Sequence, residues 1–398
     1  MTQVPIALDP GHSQNSGDQF ATTLQGRESP RIEVPPSRLD LAGRAKAAKT
    51  RKERASLLDQ FLLHNTPEHY PGEGVDHLFT AWFTTDPSGA LEAINLIGTN
   101  VRGYQKIRLT ALCCGISAFA ARPELLYAKA LQCFEHEEIK SELNDFRRKL
   151  YPILGELNPS AGVALLEAND SPYNKHYFAS LCEQWVKKDP RAAAIEMTRF
   201  GNADPKQVGD WAAELTNARL DLEDLKWAVA EKLPSSITNK FAEVATTVTI
   251  QASGIETFLK QVSRSGELRG FTQPMLQASA IADPSGFVEY LDSFQKAGVF
   301  DRERDAELVA RVLYGAESRS ALAFFDQLSS FPTAQAKAAV SICEAMLWRD
   351  ANGCSRWLSS LPSGAVRDAA LEPMLDYLRS HNETAAVKQW EALKSSRK

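Results

Sequence analysis

The sequence predicts an all-α protein: an α-solenoid, a right-handed superhelix of about ten helix-turn-helix repeats that follows a disordered N-terminal tail. Three observations support this prediction. A short helix-opening motif recurs along most of the chain, apolar residues follow each copy at helical spacing, and a second helix-like stretch precedes each copy.

The motif is clearest as "DPSG", which stands at residues 86–89 and again at residues 283–286. Asp is a favoured N-cap because its carboxylate accepts a backbone N–H of the first turn. Pro is favoured at the next position because its missing N–H costs nothing there. Counting degraded copies, openings begin at Asp86, Arg122, Asn158, Asp189, Arg219, Gln251, Asp283, Ser320, Asp350 and Glu383. They recur about every 33 residues, a period typical of helical repeat proteins.

Apolar side chains follow these openings at the fifth, eighth, ninth and twelfth positions, which together form one face of an α-helix. After Asp283 they are Phe287, Tyr290, Leu291 and Phe294; the same offsets recur after Gln251 and after Asp350. Each opening should therefore start the second helix of a pair.

A first helix precedes each opening, as in "VDHLFTAWFTT" before Asp86 and "NKHYFASLCEQWVKK" before Asp189. Trp82 and Trp185 each lie four residues before the cap in these two stretches. The segment "VATTVTI" at residues 244–250 is rich in β-formers, but it falls where a first helix is due, so we predict a helix there.

Composition and the openings together divide the chain into three parts. Residues 1–36 are rich in Pro, Gly, Ser and Gln without apolar periodicity, so a disordered tail is expected. Residues 37–73 contain a basic N-terminal helix, predicted over 37–64, and a His-rich loop. Residues 74–398 form the predicted helical-repeat solenoid.

The form W-x-x-x-D-P-x-x-A, from Trp82 to Ala90 and from Trp185 to Ala193, resembles degenerate tetratricopeptide-like helical repeats of bacterial proteins. The aromatic residues Tyr290, Trp357 and Trp390 near the start of second helices are similar to those of a tetratricopeptide unit. The resemblance covers about residues 74–398. It implies a scaffold that presents a surface for proteins or peptides.

Composition narrows the possible functions. The net charge is −5 and residues 65–398 carry −7, which argues against a nucleic-acid partner. No apolar stretch is long enough to span a membrane, and the first 25 residues do not resemble a secretory signal. We therefore expect a cytoplasmic protein, or a periplasmic or exported one if a signal has been removed. The irregular spacing of the six cysteines predicts small buried thiols rather than a disulfide framework.

The candidate binding residues are basic. Lys46, Lys49, Arg51, Lys52 and Arg54 lie in a run that could contact an acidic partner or nucleic acid. The same run could equally be the solvated face of the N-terminal helix, and no aromatic residue is interleaved with the charges.

The His-rich loop is a weak metal candidate. It gathers His64, His69 and His77 close to three carboxylates, but their spacing matches no specific zinc site. A connecting loop that happens to contain histidines is the simpler interpretation, so the sequence predicts no metal and no cofactor.

No catalytic motif stands out. The chain has no phosphate-binding loop and no nucleophile elbow. "DLED" at residues 221–224 is the only compact acidic cluster on a helix-like stretch, and it would matter only in an enzyme built on a closed ring of helical hairpins. The predicted function is a non-catalytic scaffold that binds a protein or peptide through its concave surface. The alternatives are that enzyme or, with less support, a nucleic-acid-binding helical repeat.

Overall fold

The computed structural model describes residues 43–44, 46–63, 74–101, 103–134, 140–201 and 204–394. Of these residues 81% are helical and none forms a β-strand, so the all-α prediction is confirmed. The stretch at 244–250 is helical despite its Val and Thr content, because its side chains meet neighbouring helices: Val244, Ala245 and Ile250 are buried. The predicted tail at 1–36 lies outside the described residues.

The helices fall into pairs. An N-terminal helix, α1, spans Arg51–Leu63. The first helices of the pairs are α2 (Val75–Thr85), α4 (Tyr104–Cys114), α6 (Lys140–Leu157), α8 (Asn174–Trp185), α10 (Pro205–Ala212), α12 (Ser235–Ser263), α13 (Thr272–Ala282), α16 (Arg302–Ala316), α18 (Pro332–Arg349) and α20 (Ala365–Ser380). The second helices are α3 (Pro87–Ala93), α5 (Pro123–Phe134), α7 (Pro159–Ala168), α9 (Pro190–Phe200), α11 (Leu222–Ala230), the part of α12 after Gly254, α14 (Pro284–Glu289) with α15 (Leu291–Lys296), α17 (Ser318–Gln327), α19 (Ala351–Ser360) and α21 (Thr384–Glu391).

Most second helices begin where the openings place them, because a side chain caps each start. The carboxylate of Asp86 accepts the N–H of Gly89 at 3.0 Å, and that of Asp283 accepts the N–H of Gly286 at 2.9 Å. Asp189 and Asp350 make the same bond at 3.0 and 2.8 Å. Each bond satisfies one of the N–H groups that a helix start leaves without a partner.

Three degraded openings lie two or three residues from the observed helix starts. Near Arg219 the cap is Asp221, and near Ser320 helix α17 begins at Ser318 after Glu317. At Gln251 no turn occurs, because α12 continues to Gly254, whose φ of 78° interrupts the helical conformation. Glycine tolerates that left-handed region, where a side chain would be strained.

The apolar faces of the second helices point into the core. After Asp283, Gln251 and Asp350 every predicted core position is buried except Tyr290 and Trp357, which are half-buried. These side chains pack against first helices, and the removal of their apolar surface from water stabilises each pair.

Neighbouring pairs pack through their first helices. Helix α6 lies against α8, α12 against α13, and α16 against α18, which in turn lies against α20. The same kind of contact links α2 to α4 and α4 to α6. Second helices pack mainly on first helices, and contacts between successive second helices, such as α14 with α17, are sparser.

Two contacts show how closely the first helices approach. Gly155 of α6 faces the backbone of Leu181 in α8, and a Cβ at residue 155 would overlap the Leu181 carbonyl oxygen. Trp211 of α10 packs edge-on against Phe178 of α8 at 4.5 Å between ring centroids. Phe178 in turn stacks on Phe200 at 4.4 Å. A glycine and an aromatic cluster therefore join consecutive pairs.

The N-terminal helix differs from its predicted span. Residues 48–50 are not helical, so the continuous helix expected over 37–64 is interrupted before α1 begins at Arg51. The break is a capping box: the Thr50 hydroxyl accepts the N–H of Glu53, and the Glu53 carboxylate accepts the N–H of Thr50. The pattern T-x-x-E at 50–53 is its sequence signature.

The first and the last of the numbered helices, α1 and α21, differ in how much of their surface is buried. Helix α1 packs on α2 and buries Leu57 and Leu58, whereas no residue of α21 is fully buried. No helix in the part of the chain that the structure describes is long and apolar enough to cross a membrane.

Candidate functional site

A cavity of about 580 Å³ lies where α17 and α19 end and where α18 and α20 begin. Its apolar wall contains Leu322, Phe325, Trp357 and Leu361, and its polar groups include Asp326 and Gln335. The rings of Phe325 and Trp357 meet edge to face at 5.6 Å. A cavity with this mixture suits an apolar side chain of a ligand whose neighbouring polar groups can reach Asp326 and Gln335.

The predicted basic residues do not form one site. Arg51 is held by acids: its Nε lies 2.6 Å from Asp86 Oδ2 and its Nη1 lies 3.1 Å from Glu92 Oε2. Arg54 is buried and donates to the carbonyl oxygen of Ala48 at 2.9 Å, so it holds the turn before α1.

The three basic residues that remain, Lys46, Lys49 and Lys52, are exposed at the N-terminal end. No contact found among the described residues joins these three side chains into one cluster. They are consistent with a solvated face.

The histidines do not assemble a metal site among the described residues. His64 and His69 lie outside them, and His77 is an exposed residue of α2. In the described ranges no group of three or more His, Cys, Asp or Glu side chains could hold a metal ion.

The acidic cluster at 221–224 is a helix start. The Asp221 carboxylate accepts the N–H of Asp224 at 3.0 Å, and the Asp224 carboxylate accepts the N–H of Asp221 at 3.0 Å. Asp224 also pairs with Arg191 of α9 at 2.7 Å. Both carboxylates are engaged in capping, and that of Asp224 also links two helix pairs.

Asp86 makes an ion pair in addition to its helix cap, whereas within the described residues Asp283 makes the cap alone. Both residues cap a second helix, but Asp86 also pairs with Arg51 of α1. The hydrogen bond from Arg51 and then that from the Gly89 N–H hold the pKa of the Asp86 carboxyl below its usual value. A carboxyl with a lowered folded-state pKa stabilises the protein above its unfolded pKa, and this stabilisation is lost as the pH falls through the folded pKa.

We expect Asp86→Ala to lower the free energy of unfolding by about 0.5–2 kcal/mol, because the first turn of α3 loses its cap. The loss should be largest near neutral pH and should shrink as the pH falls below about 4, where the carboxyl of the unfolded chain takes up a proton. Its charge-dependent part should disappear as the pH passes the lower folded-state pKa. Urea unfolding at several pH values measures it. Asp283→Ala is the matched control for capping without the ion pair. An Asp86→Ala effect that stays constant down to pH about 2 would contradict the role of the charge.

The tryptophans divide by their position in the helices. Trp82, Trp185 and Trp211 are buried, as expected for core residues, and Trp227, Trp357 and Trp390 are half-buried. Trp348 differs, because 92% of its surface is exposed. It lies two residues before the cap Asp350, whereas Trp82 lies four residues before Asp86. These two positions differ by two residues, which is about 200° around a helix. The spacing between Trp348 and Asp350 is therefore the sequence signal that Trp348 lies on the face opposite to that of Trp82.

Trp348 belongs to an exposed stripe on α18. Lys337, Glu344 and Trp348 are exposed and recur at helical spacing, on the side turned away from buried Ala338 and Ile342. Lys337 reaches across to α16, where its Nζ donates to the carbonyl oxygen of Glu303 at 2.6 Å. This bond joins the exposed stripe of α18 to the first turn of α16.

The residue two positions before the cap is also exposed in the neighbouring pairs. It is Ile281 in α13 and Gly315 in α16. In earlier pairs the same position is polar, with Thr84 in α2 and Lys187 after α8. Among these positions Ile281 and Trp348 are the large apolar side chains that are exposed.

Comparison with known proteins gives no relative: no family model, no curated protein and no solved structure matches this chain.

Proposed function

We propose that the chain is a non-catalytic scaffold that binds a peptide or protein through the concave surface of an α-solenoid. In this proposal the helix pairs stack into a right-handed superhelix, and the first helices line its inner side. The single observation that carries the proposal is the continuous contact of first helices from α12 through α13, α16 and α18 to α20. In a curved stack the more closely packed layer lies inside, and second helices contact one another less.

The tetratricopeptide-like resemblance remains part of this proposal. It is supported by the Asp caps followed by Pro and by the helix pairs that they start. Solenoids of this kind take up helices or extended peptides along their first helices.

The surface that we propose for binding runs over the exposed edge of α13, α16 and α18. Ile281 and Trp348 stand at the corresponding positions of the two first helices that pack on α16, and a Cβ at Gly315 would meet no atom within 4 Å. An apolar side chain of a partner could therefore lie between the isoleucine and the indole. Tryptophan is the residue most often found to dominate binding energy at interfaces, because its large ring loses much water on contact.

The test uses an array of immobilised peptides that vary an apolar anchor and its flanking charges. We expect peptides with an apolar anchor to bind, and we expect Trp348→Ala to weaken that binding by about 2 kcal/mol or more. Asp224→Asn, which alters the acidic cluster far along the chain from this edge, should leave binding nearly unchanged.

Two results would contradict the proposal. Unchanged peptide binding by Trp348→Ala would remove this edge from the binding surface. Turnover of a small-molecule substrate that is lost on Asp221→Asn or Asp224→Asn would favour an enzyme instead.

A further inference from the structure

Two thiols lie side by side inside the ninth helix pair. Cys343 is on α18 and Cys354 is on α19, and their Sγ atoms are 3.3 Å apart. Both side chains are completely buried. Cys354 Sγ also lies 3.8 Å from the carbonyl oxygen of Cys343. The two helices are joined through the cap residue Asp350, so both thiols belong to one short helix-turn-helix segment.

The separation is close to that of a bond. Sulfurs in a disulfide are about 2.05 Å apart, so these two atoms need to approach by only about 1.3 Å. A rotation of the side chains and a small shift of α19 against α18 would supply this movement. Cys182 is buried as well, but no other described cysteine is paired with it by any contact of this kind.

We propose that Cys343 and Cys354 form an intramolecular disulfide on oxidation and so lock α18 to α19. Hydrogen peroxide is the oxidant. The thiolate of one cysteine attacks a peroxide oxygen, the O–O bond breaks, and hydroxide leaves and takes up the thiol proton as water. The product is a sulfenic acid. The second sulfur then attacks this sulfur, the S–S bond forms, the S–O bond breaks, and a second water leaves. In total the two thiols lose two electrons and two protons, and these reduce one hydrogen peroxide to two waters.

Burial sets the rate of this reaction. The hydrogen bond between the two thiols and the loss of water raise the pKa of Cys343 well above its usual value. The thiolate is the reactive form, so oxidation requires a transient opening of α18 and α19 that admits peroxide and water. Once formed, the bond is shielded by the same packing and should be reduced slowly.

The experiment treats the reduced full-length protein with hydrogen peroxide, unfolds it, alkylates the free thiols and maps the peptides by mass spectrometry. We expect the main product to be a linked peptide pair containing Cys343 and Cys354 that has lost two hydrogen atoms. Native hydrogen exchange of α18 and α19 should become at least about tenfold slower after oxidation, because the cross-link opposes their opening.

Variants identify the pair. Cys343→Ala and Cys354→Ala should each abolish both the linked peptide and the slower exchange, whereas Cys182→Ala, which removes another buried thiol, should keep both. Full alkylation of Cys343 and Cys354 after peroxide treatment would overturn the proposal, and so would a dominant linkage between other cysteines. The wild-type map decides between these results even if a variant fails to fold.

Discussion

Replacing Trp211 with Ala is expected to lower the free energy of unfolding by about 3–5 kcal/mol. The indole is almost fully buried and contacts the rings of Phe178 and Phe200. Its Nε1 also donates to the carbonyl oxygen of Lys175 at 3.2 Å. Alanine would leave a cavity between α8 and α10 and would remove the hydrogen bond from the indole to the Lys175 carbonyl, and both changes destabilise a folded core.

The matched control is Trp348→Ala. It removes the same side chain from an exposed position, so its effect on stability should stay within about 0.5 kcal/mol. Urea unfolding followed by circular dichroism compares the two variants. Equal stabilities of Trp211→Ala and Trp348→Ala would show that the aromatic cluster between α8 and α10 does not hold these helices together.

Replacing Gly155 with Ala is expected to cost about 3 kcal/mol. A Cβ at this position would overlap the carbonyl oxygen of Leu181 and lie 3.0 Å from its carbonyl carbon. Both are backbone atoms of α8, so no side chain can rotate away and the two helices must separate. The separation would weaken packing along the whole contact between α6 and α8.

Gly209→Ala is expected to raise the free energy of unfolding, whereas Gly155→Ala lowers it. Gly209 is also inside a helix, but a Cβ there would meet only Ser236 Cβ at an ordinary 3.8 Å. Alanine has a higher helix propensity than glycine, so this variant should be more stable by up to about 1 kcal/mol. Thermal unfolding of both variants is the measurement. A Gly155→Ala protein as stable as Gly209→Ala would refute the close approach of α6 and α8.

The sequence predicts the helical class and most second-helix starts because those features are local. The caps Asp86, Asp189 and Asp283 each act on an N–H three residues away, and the following Pro fixes the same turn. Prediction is less accurate at Gln251, because α12 passes through that position and changes direction only at Gly254. A glycine within a helical pattern does not reveal its own φ.

The candidate site is harder to predict because it depends on contacts between distant residues. Arg51 and Arg54 look alike in the basic run, yet Arg51 pairs with Asp86 while Arg54 is buried against Ala48. The closeness of Cys343 and Cys354 likewise arises from how α18 packs on α19. Trp348 is the exception, since its spacing from Asp350 already sets it apart from Trp82.

The unequal burial at the two ends of the described helices has a consequence for self-association. If the helix pairs stack as we propose, another copy of the chain could in principle pack against an open end. At the amino end the apolar face of α2 is occupied by α1, which is fastened to α3 through Arg51 and Asp86. At the carboxyl end α21 contributes no fully buried side chain. Because α1 already occupies this face of α2, a second copy of the chain could not pack on the same face unless α1 left it.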